Sequence, residues 1–303
     1  MKYHSIIAGI TCVLALVVIT GCAKKETGRF SIQIKGSDTE VNLVQRLAES
    51  FMEKNPEISM AVTGGGSGVG IAALINKQTD IANSSRAMKN EEIKQAKDKG
   101  VDPVAIVFAL DGLALITHQS LTIKSLTLDE VAKIFKGEIT NWKELRGPDL
   151  VITPYGRQSN SGTYVYFRDN VLKGDYSPQA RRMNGNAQIV EAVKTDKAGI
   201  GYVGIGYVVD DKGEVTSGIR VLNIAEDTNS PAVTPLKLEN VKSGLYPLTR
   251  PLYQYTDSKP KGKLLEFIRF ELSEEGQELV TRGGYYPVTP EHMDYNRELG
   301  ILK

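Results

Sequence analysis

The residues best equipped for chemistry in this chain form one short run: Gly156, Arg157, Gln158, Ser159, Asn160, Ser161, Gly162 and Thr163. It follows an apolar-rich strand candidate at 151–155. It leads into a segment whose bulky residues, Tyr164, Phe167, Val171 and Leu172, fall at helical spacing. A strand-loop-helix junction of this composition gathers free backbone N–H groups, hydroxyl donors and one fixed positive charge at a helix N-terminus. That combination attracts a small oxyanion. Taken by itself, the run also reads as a helix cap with a surface arginine.

Three earlier loops share its chemistry. Residues 36–39 carry Ser37, Asp38 and Thr39; residues 64–67 end in Gly66 and Ser67; residues 84–86 are Ser84, Ser85 and Arg86. Each is small and hydroxyl-bearing, and each sits where a strand gives way to a helix. Glycine in such loops lets the backbone approach a ligand and point successive N–H groups at one spot. By itself the glycine run at 64–68 reads as a flexible turn. Gly68, Gly70 and Ala73 imitate a dinucleotide fingerprint, but the glycines are clustered wrongly for one. A Walker A loop is excluded, because no Lys-Ser or Lys-Thr follows them.

The elements that must position these loops alternate. Residues 30–35 alternate apolar and polar side chains as a strand does. Ser37 followed by Glu40 has the spacing of a capping box and marks a helix start. Val41, Val44, Leu47, Ala48, Phe51 and Met52 then make one apolar face, which Asn55-Pro56 ends. A second strand at 58–62, a helix through Ala72, Ala73 and Ile75, and a third strand entering residues 80–86 complete a βαβαβ order. That order predicts parallel strands with helices on both faces and ligands at the carboxyl ends of the strands.

The 303 residues, 41% of them hydrophobic, suffice for two domains with their own cores. A formal net charge of +1 argues against a nucleic-acid surface. Lys2 and His4 precede an uncharged, mostly apolar run over 6–19, too short for a membrane span and right for a secretory leader. The end of that run, Ile19-Thr20-Gly21-Cys22, resembles a bacterial lipobox, which implies cleavage after residue 21 and lipidation of Cys22; a plain secretory signal or a short anchor is the alternative reading. Cys12 lies in the removed part, so the mature chain has no disulfide and depends on its core. Residues 23–29 then act as a tether. His118 and His292 have no partner at metal-ligand spacing. Trp142, Tyr164, Tyr166, Tyr285 and Tyr286 read as packing, and the mixed charges of 89–99 as a solvated helix face.

These loops resemble those of the periplasmic phosphate-binding proteins that feed an ABC importer. Two further stretches carry the resemblance: Ile134-Phe135-Lys136-Gly137-Glu138-Ile139-Thr140-Asn141-Trp142, and Tyr246-Pro247-Leu248-Thr249-Arg250-Pro251 with the later Glu275-Gly276-Gln277. The similarity runs from about Phe30 to Pro287. It implies an α/β, two-lobed, type II Venus-flytrap fold with an anion held in the cleft. Lobe one is expected over 30–110 plus 247–303, and lobe two over 111–246. By position, Thr39 and Ser67 contact the oxyanion from lobe one, while Arg157, Ser161, Gly162 and Thr163 close on it from lobe two. Ser37, Asp38, Gly66, Ser84, Ser85 and Arg86 complete the expected site. Arg86 is read either as a contact of the third loop or as an ion-pair partner.

The chain departs from the family pattern at Ser85 and Ser159, where members carry aspartates. A buried carboxylate only accepts hydrogen bonds, so it takes the proton of hydrogen phosphate and repels sulfate. A serine hydroxyl turns and donates, which leaves sulfate, arsenate and molybdate open as ligands. Asp38 is a spare acceptor or a helix-start charge. The resemblance implies inorganic phosphate and ABC permease subunits as partners of a monomer without cofactor or metal; the leader and its lipobox-like end make that monomer exported and lipid-anchored, and the charge balance argues against nucleic acid. The rivals are a phosphate sensor without transport and a secreted phosphatase. The latter needs a metal cluster or an activated nucleophile, for which the sequence offers no pattern.

Overall fold

The computed structural model describes residues 30–210 and 213–302. The expected leader, the Cys22 lipidation site and the 23–29 tether lie outside the described residues. The chain begins with β1 (Phe30–Gly36), α1 (Val41–Lys54), β2 (Ile58–Thr63), α2 (Ser67–Ile75), β3 (Ile81–Ser84), α3 (Asn90–Asp98) and β4 (Pro103–Gly112). A second unit holds β5 (Ala114–His118), β6 (Ser125–Thr127), α4 (Leu128–Lys136), β7 (Thr153–Arg157) and α5 (Gly162–Phe167). It continues through β8 (Arg181–Met183), α6 (Asn186–Thr195), β9 (Gly199–Val203), β10 (Ile219–Val221), β11 (Asn223–Ala225) and α7 (Leu238–Lys242). The chain returns as β12 (Thr249–Asp257), α8 (Gly262–Glu271), α9 (Glu274–Arg282) and α10 (Pro290–Glu298).

Two five-stranded sheets result, in the orders β2-β1-β3-β12-β4 and β10-β5-β9-β7-β8, with β6 and β11 as a small separate pair. The strands β1, β2 and β3 pair in parallel, as the βαβαβ reading requires. Beyond that stretch the sheets are mixed: β12 runs antiparallel to β3 and β4, and β5 antiparallel to β9 and β10. Both are strands in which the chain enters one sheet directly from the other unit, so no crossover helix turns it round.

Local sequence explains the supporting elements. The helix α1 buries Leu43, Val44, Leu47, Ala48 and Phe51 on one stripe, and Phe51 meets Phe267 of α8 edge-on at 5.4 Å. It stops at Asn55, the residue before Pro56. Every residue of β3 and β9 is buried, as strands covered on both faces must be. Gly36 has φ +140°, and any Cβ there would collide with the Asn83 carbonyl oxygen, so the turn leaving β1 requires glycine.

The capping box at Ser37 and Glu40 does not form. The helix starts at Val41 with Glu40 at the N-cap and no side-chain cap bond. The Ser37 N–H donates to the Asn83 carbonyl at 3.0 Å, so it is not available to the Glu40 carboxyl, which is buried instead. In the second unit, Trp142 is enclosed and its Nε1–H donates to the Ala198 carbonyl at 2.9 Å. Phe167 and Tyr202 stack at 4.2 Å, and the Tyr202 hydroxyl meets that of Tyr176 at 2.8 Å. This aromatic block forms the floor on which β7 ends.

Candidate functional site

The loops at 36–39, 64–67 and 84–86 leave the carboxyl ends of β1, β2 and β3, and the loop at 157–163 leaves β7 in the other sheet. They meet. Thr39 Oγ1 lies 2.9 Å from Thr163 Oγ1, although 124 positions separate them. Ser85 Oγ lies 3.4 Å from Thr163 Oγ1 and 3.4 Å from Ser67 Oγ, and the Ser85 N–H donates to Ser67 Oγ at 3.1 Å. A Cβ at Gly162 would come within 2.8 Å of Ser85 Oγ and closer still to Ser67 Oγ. The backbones clasp beside these hydroxyls: Gly68 N–H donates to the Asn160 carbonyl at 2.9 Å, and Asn160 Nδ2 to the Gly65 carbonyl at 3.0 Å. Gly66, at φ +94°, leaves room for that Asn160 carbonyl. Ser161 caps α5, its Oγ accepting from Tyr164 N at 3.4 Å.

Two guanidinium groups border the hydroxyls. Arg157 is 1% exposed, its backbone N–H donates to Tyr202 OH at 3.0 Å, and its Nη2 donates to Asp38 Oδ2 at 2.5 Å and the Asn184 carbonyl at 3.0 Å. Burial pulls the Arg157 pKa below its ordinary value while Asp38 opposes the shift; the group remains a cation at physiological pH. Its Nε and Nη1 are enclosed without an acceptor. Arg250 of β12 donates from Nε and Nη2 to Asp111 Oδ2 at 3.0 and 2.7 Å, and from Nη2 to Thr163 Oγ1 at 3.0 Å. Arginine only donates, so Thr163 Oγ1 accepts here and keeps its own proton for a further acceptor. Arg250 Nη1 also lacks an acceptor. Buried N–H groups without acceptors are costly. A set of hydroxyls and unmatched N–H donors fits a ligand made of acceptors only, which is an oxyanion.

The remaining expected residues have other partners. Both Arg86 terminal nitrogens engage the Glu92 carboxylate, at 2.7 and 2.6 Å, so of its two readings the geometry gives the ion pair, with Nε left without an acceptor. Ser84 Oγ donates to the Arg86 carbonyl at 2.7 Å within its own turn. Ser37 is buried beside Glu40, with its backbone bound to Asn83. Ser159 is exposed, and the carboxylate beside Arg157 comes instead from Asp38, whose Oδ1 also accepts from Gly65 N at 2.8 Å. Sequence reasoning missed Arg250 and Asp111 as a site pair. Arg250 lies in the 246–251 stretch that carries the family resemblance, and a lone arginine amid apolar strand residues is the available signal. Among the described residues, no group of three or more His, Cys, Asp or Glu side chains could hold a metal ion.

Two α/β units with a donor-lined cradle between their strand ends define a ligand-binding protein of the two-lobed class. A family model, the PBP superfamily domain, matches residues 23–275. The phosphate-binding protein PstS of Pseudomonas aeruginosa is 32% identical over 271 residues, covering 84% of this chain and 81% of that protein. PstS of Bacillus subtilis is 32% identical over 269 residues, covering 88% and 83%. A crystal structure from Clostridium perfringens, a phosphate ABC transporter substrate-binding protein with bound phosphate, aligns with TM-score 0.74 and 30% identity over 86% of this chain and 100% of that one. The chain therefore belongs to the PBP superfamily and, within it, to the same family as these PstS proteins.

Proposed function

We propose that this chain is an extracytoplasmic receptor that binds inorganic phosphate between its two sheets and delivers it to an ABC permease. The observation that carries this reading is the meeting of Thr39, Ser67 and Ser85 from one sheet with Thr163 and the unmatched Arg157 donors from the other. The names of the relatives support phosphate as the ligand and import as the context. The mechanism is binding with closure. An anion leaving water needs a donor for each oxygen, and these donors are divided between the units, so a ligand that bridges them adds to the contacts that hold the closed form.

The same proposal places the lobe boundaries near Asp111 and Tyr246, supported by β4 and β12 belonging to one sheet and β5 to the other. It keeps the lipid anchor at Cys22 and a monomeric receptor, both resting on sequence pattern alone. A second ligand reading, sulfate, is favoured by one observation: both Asp38 oxygens are engaged, by Arg157 and Gly65, and Ser85 carries no charge. Competition calorimetry with the two anions separates the readings. Binding of phosphate with sulfate ignored is the expected result. Equal binding overturns phosphate specificity, and binding of neither overturns the oxyanion site.

A further inference from the structure

Glu40 follows Thr39 in the cradle loop and directly precedes α1. Its side chain is fully buried, and neither carboxyl oxygen has a hydrogen-bond donor. Around it stand Ser37 from its own loop, Asp111 from β4, Arg250 from β12, Glu271 from α8 and Tyr285 from the turn after α9. Arg250 is the one cation of that set, and it is already engaged by Asp111 at 2.7 Å. The Ser37 hydroxyl is close enough to favour the charged form, yet it falls short of a full hydrogen bond. Burial outweighs both and pushes the Glu40 carboxyl well above the usual carboxylate range.

Among the described residues, most unmatched polar side-chain atoms fall into two groups. Near the cleft, those of Arg157 and Arg250 are donors. Around Glu40, in the first sheet and its helices, five are acceptors: both Glu40 oxygens, Asn83 Oδ1, Gln254 Oε1 and Glu271 Oε2; Arg86 Nε, Thr117 Oγ1 and Asn186 Nδ2 are unmatched as well. Asn83 and Gln254 are paired across β3 and β12, and Gln254 Nε2 donates to Glu271 Oε1 at 3.0 Å. A buried layer rich in acceptors needs protons, and a neutral carboxyl supplies one.

The charge of the cleft then depends on that proton. Arg157 is paired with Asp38, and Arg250 with Asp111. Two cations face two anions, so the cradle is electrically balanced while Glu40 is neutral. An ionised Glu40 would leave a net negative charge next to Thr39, in a dry region where charges act strongly.

We infer that Glu40 is a proton-dependent determinant of ligand affinity: neutral, it leaves the cradle open to an oxyanion; ionised, it repels one. This rests on the oxyanion reading and adds a residue that contacts the cradle from behind. The test is phosphate titration calorimetry on the full chain from mildly acidic to alkaline pH, comparing wild type with Glu40→Gln, which mimics the neutral acid. Ionisation of phosphate itself affects both proteins alike, so the ratio of their dissociation constants isolates Glu40. The expected ratio is near one in acid and rises at least about tenfold, or ~1.4 kcal/mol, in favour of the variant as pH climbs. A ratio flat within about threefold at every pH overturns the inference; the tenfold convention makes that under ~0.7 kcal/mol. If the variant does not fold, NMR of the Glu40 carboxyl carbon in the wild type decides: ionisation in the ordinary carboxylate range overturns it, and a proton retained at neutral pH supports it. Absence of phosphate binding by a folded wild type at any pH overturns the oxyanion reading itself.

Discussion

Arg157 and Asp38 meet across the cleft, Nη2 to Oδ2 at 2.5 Å, one carried by the end of β7 and the other by the loop after β1. The pair therefore spans the two sheets, and it leaves two of the Arg157 nitrogens to a ligand. Replacing Arg157 with alanine removes that charge from the cradle and leaves an incoming anion unmatched on one side. The expected loss of phosphate affinity is about 2–5 kcal/mol, the range for truncating one side of a buried charge pair. That is at least about 30-fold in dissociation constant. Calorimetry showing less than about a threefold loss (~0.7 kcal/mol) removes Arg157 from the site.

Asp38→Asn separates holding the lobes from holding the ligand. The substitution keeps the side chain's shape but leaves the enclosed Arg157 without its counter-charge, which disfavours the closed empty protein. The unliganded variant is expected to open, with a larger radius of gyration in small-angle scattering, and phosphate should return it to the wild-type value. An unchanged radius without ligand shows that the pair does not hold the sheets together.

Gly162→Ala tests how closely the units approach. The added methyl would sit within 2.8 Å of Ser85 Oγ, and the Ser67 and Ser85 side chains are too short to swing away. Overpacking of this kind costs about 1–3 kcal/mol. The open form escapes the clash, so the expected result is a loss of affinity of about 5- to 150-fold at nearly unchanged melting temperature. An unaltered dissociation constant would mean that closure stops short of this contact.

Much of the cradle was legible in sequence because loops that present hydroxyls at strand ends look alike wherever they fall. Thr39, Ser67 and Thr163 are short side chains in glycine-rich turns, and local pattern alone places them on the same side of their sheets. What local pattern does not encode is pairing between distant segments. Ser159 sits two residues from Arg157 yet is exposed, while Asp38, 119 positions away, supplies the counter-charge. Arg86 has the composition of a ligand contact, but Glu92, six positions on in the first turn of α3, takes both terminal nitrogens. Glu40 matched a capping pattern, and only the packing of β12 and α8 over it shows why it is buried. The antiparallel entry of β12 is likewise a property of the second crossing between sheets rather than of its own residues.

Glu271, the last residue of α8, extends the argument from affinity to stability. It is fully buried, with Oε1 accepting from Gln254 Nε2 at 3.0 Å and no donor at Oε2. Burial raises its pKa well above the usual range, and the Gln254 bond only partly offsets that. In the unfolded chain the same group ionises near the ordinary glutamate value of about 4.3. Between those two pKa values the native state holds a proton that the unfolded state has released, so stability falls as pH rises. The stabilising contribution is fully present below the unfolded pKa and is lost as pH rises through the folded one. One proton limits the slope to ~1.4 kcal/mol per pH unit. Glu271→Gln fills the same space without a group to ionise. Urea unfolding across pH should give the two proteins similar stability in acid, with the variant increasingly the more stable as the solution becomes alkaline. Parallel curves at all pH values would show that Glu271 ionises inside the fold as readily as outside it.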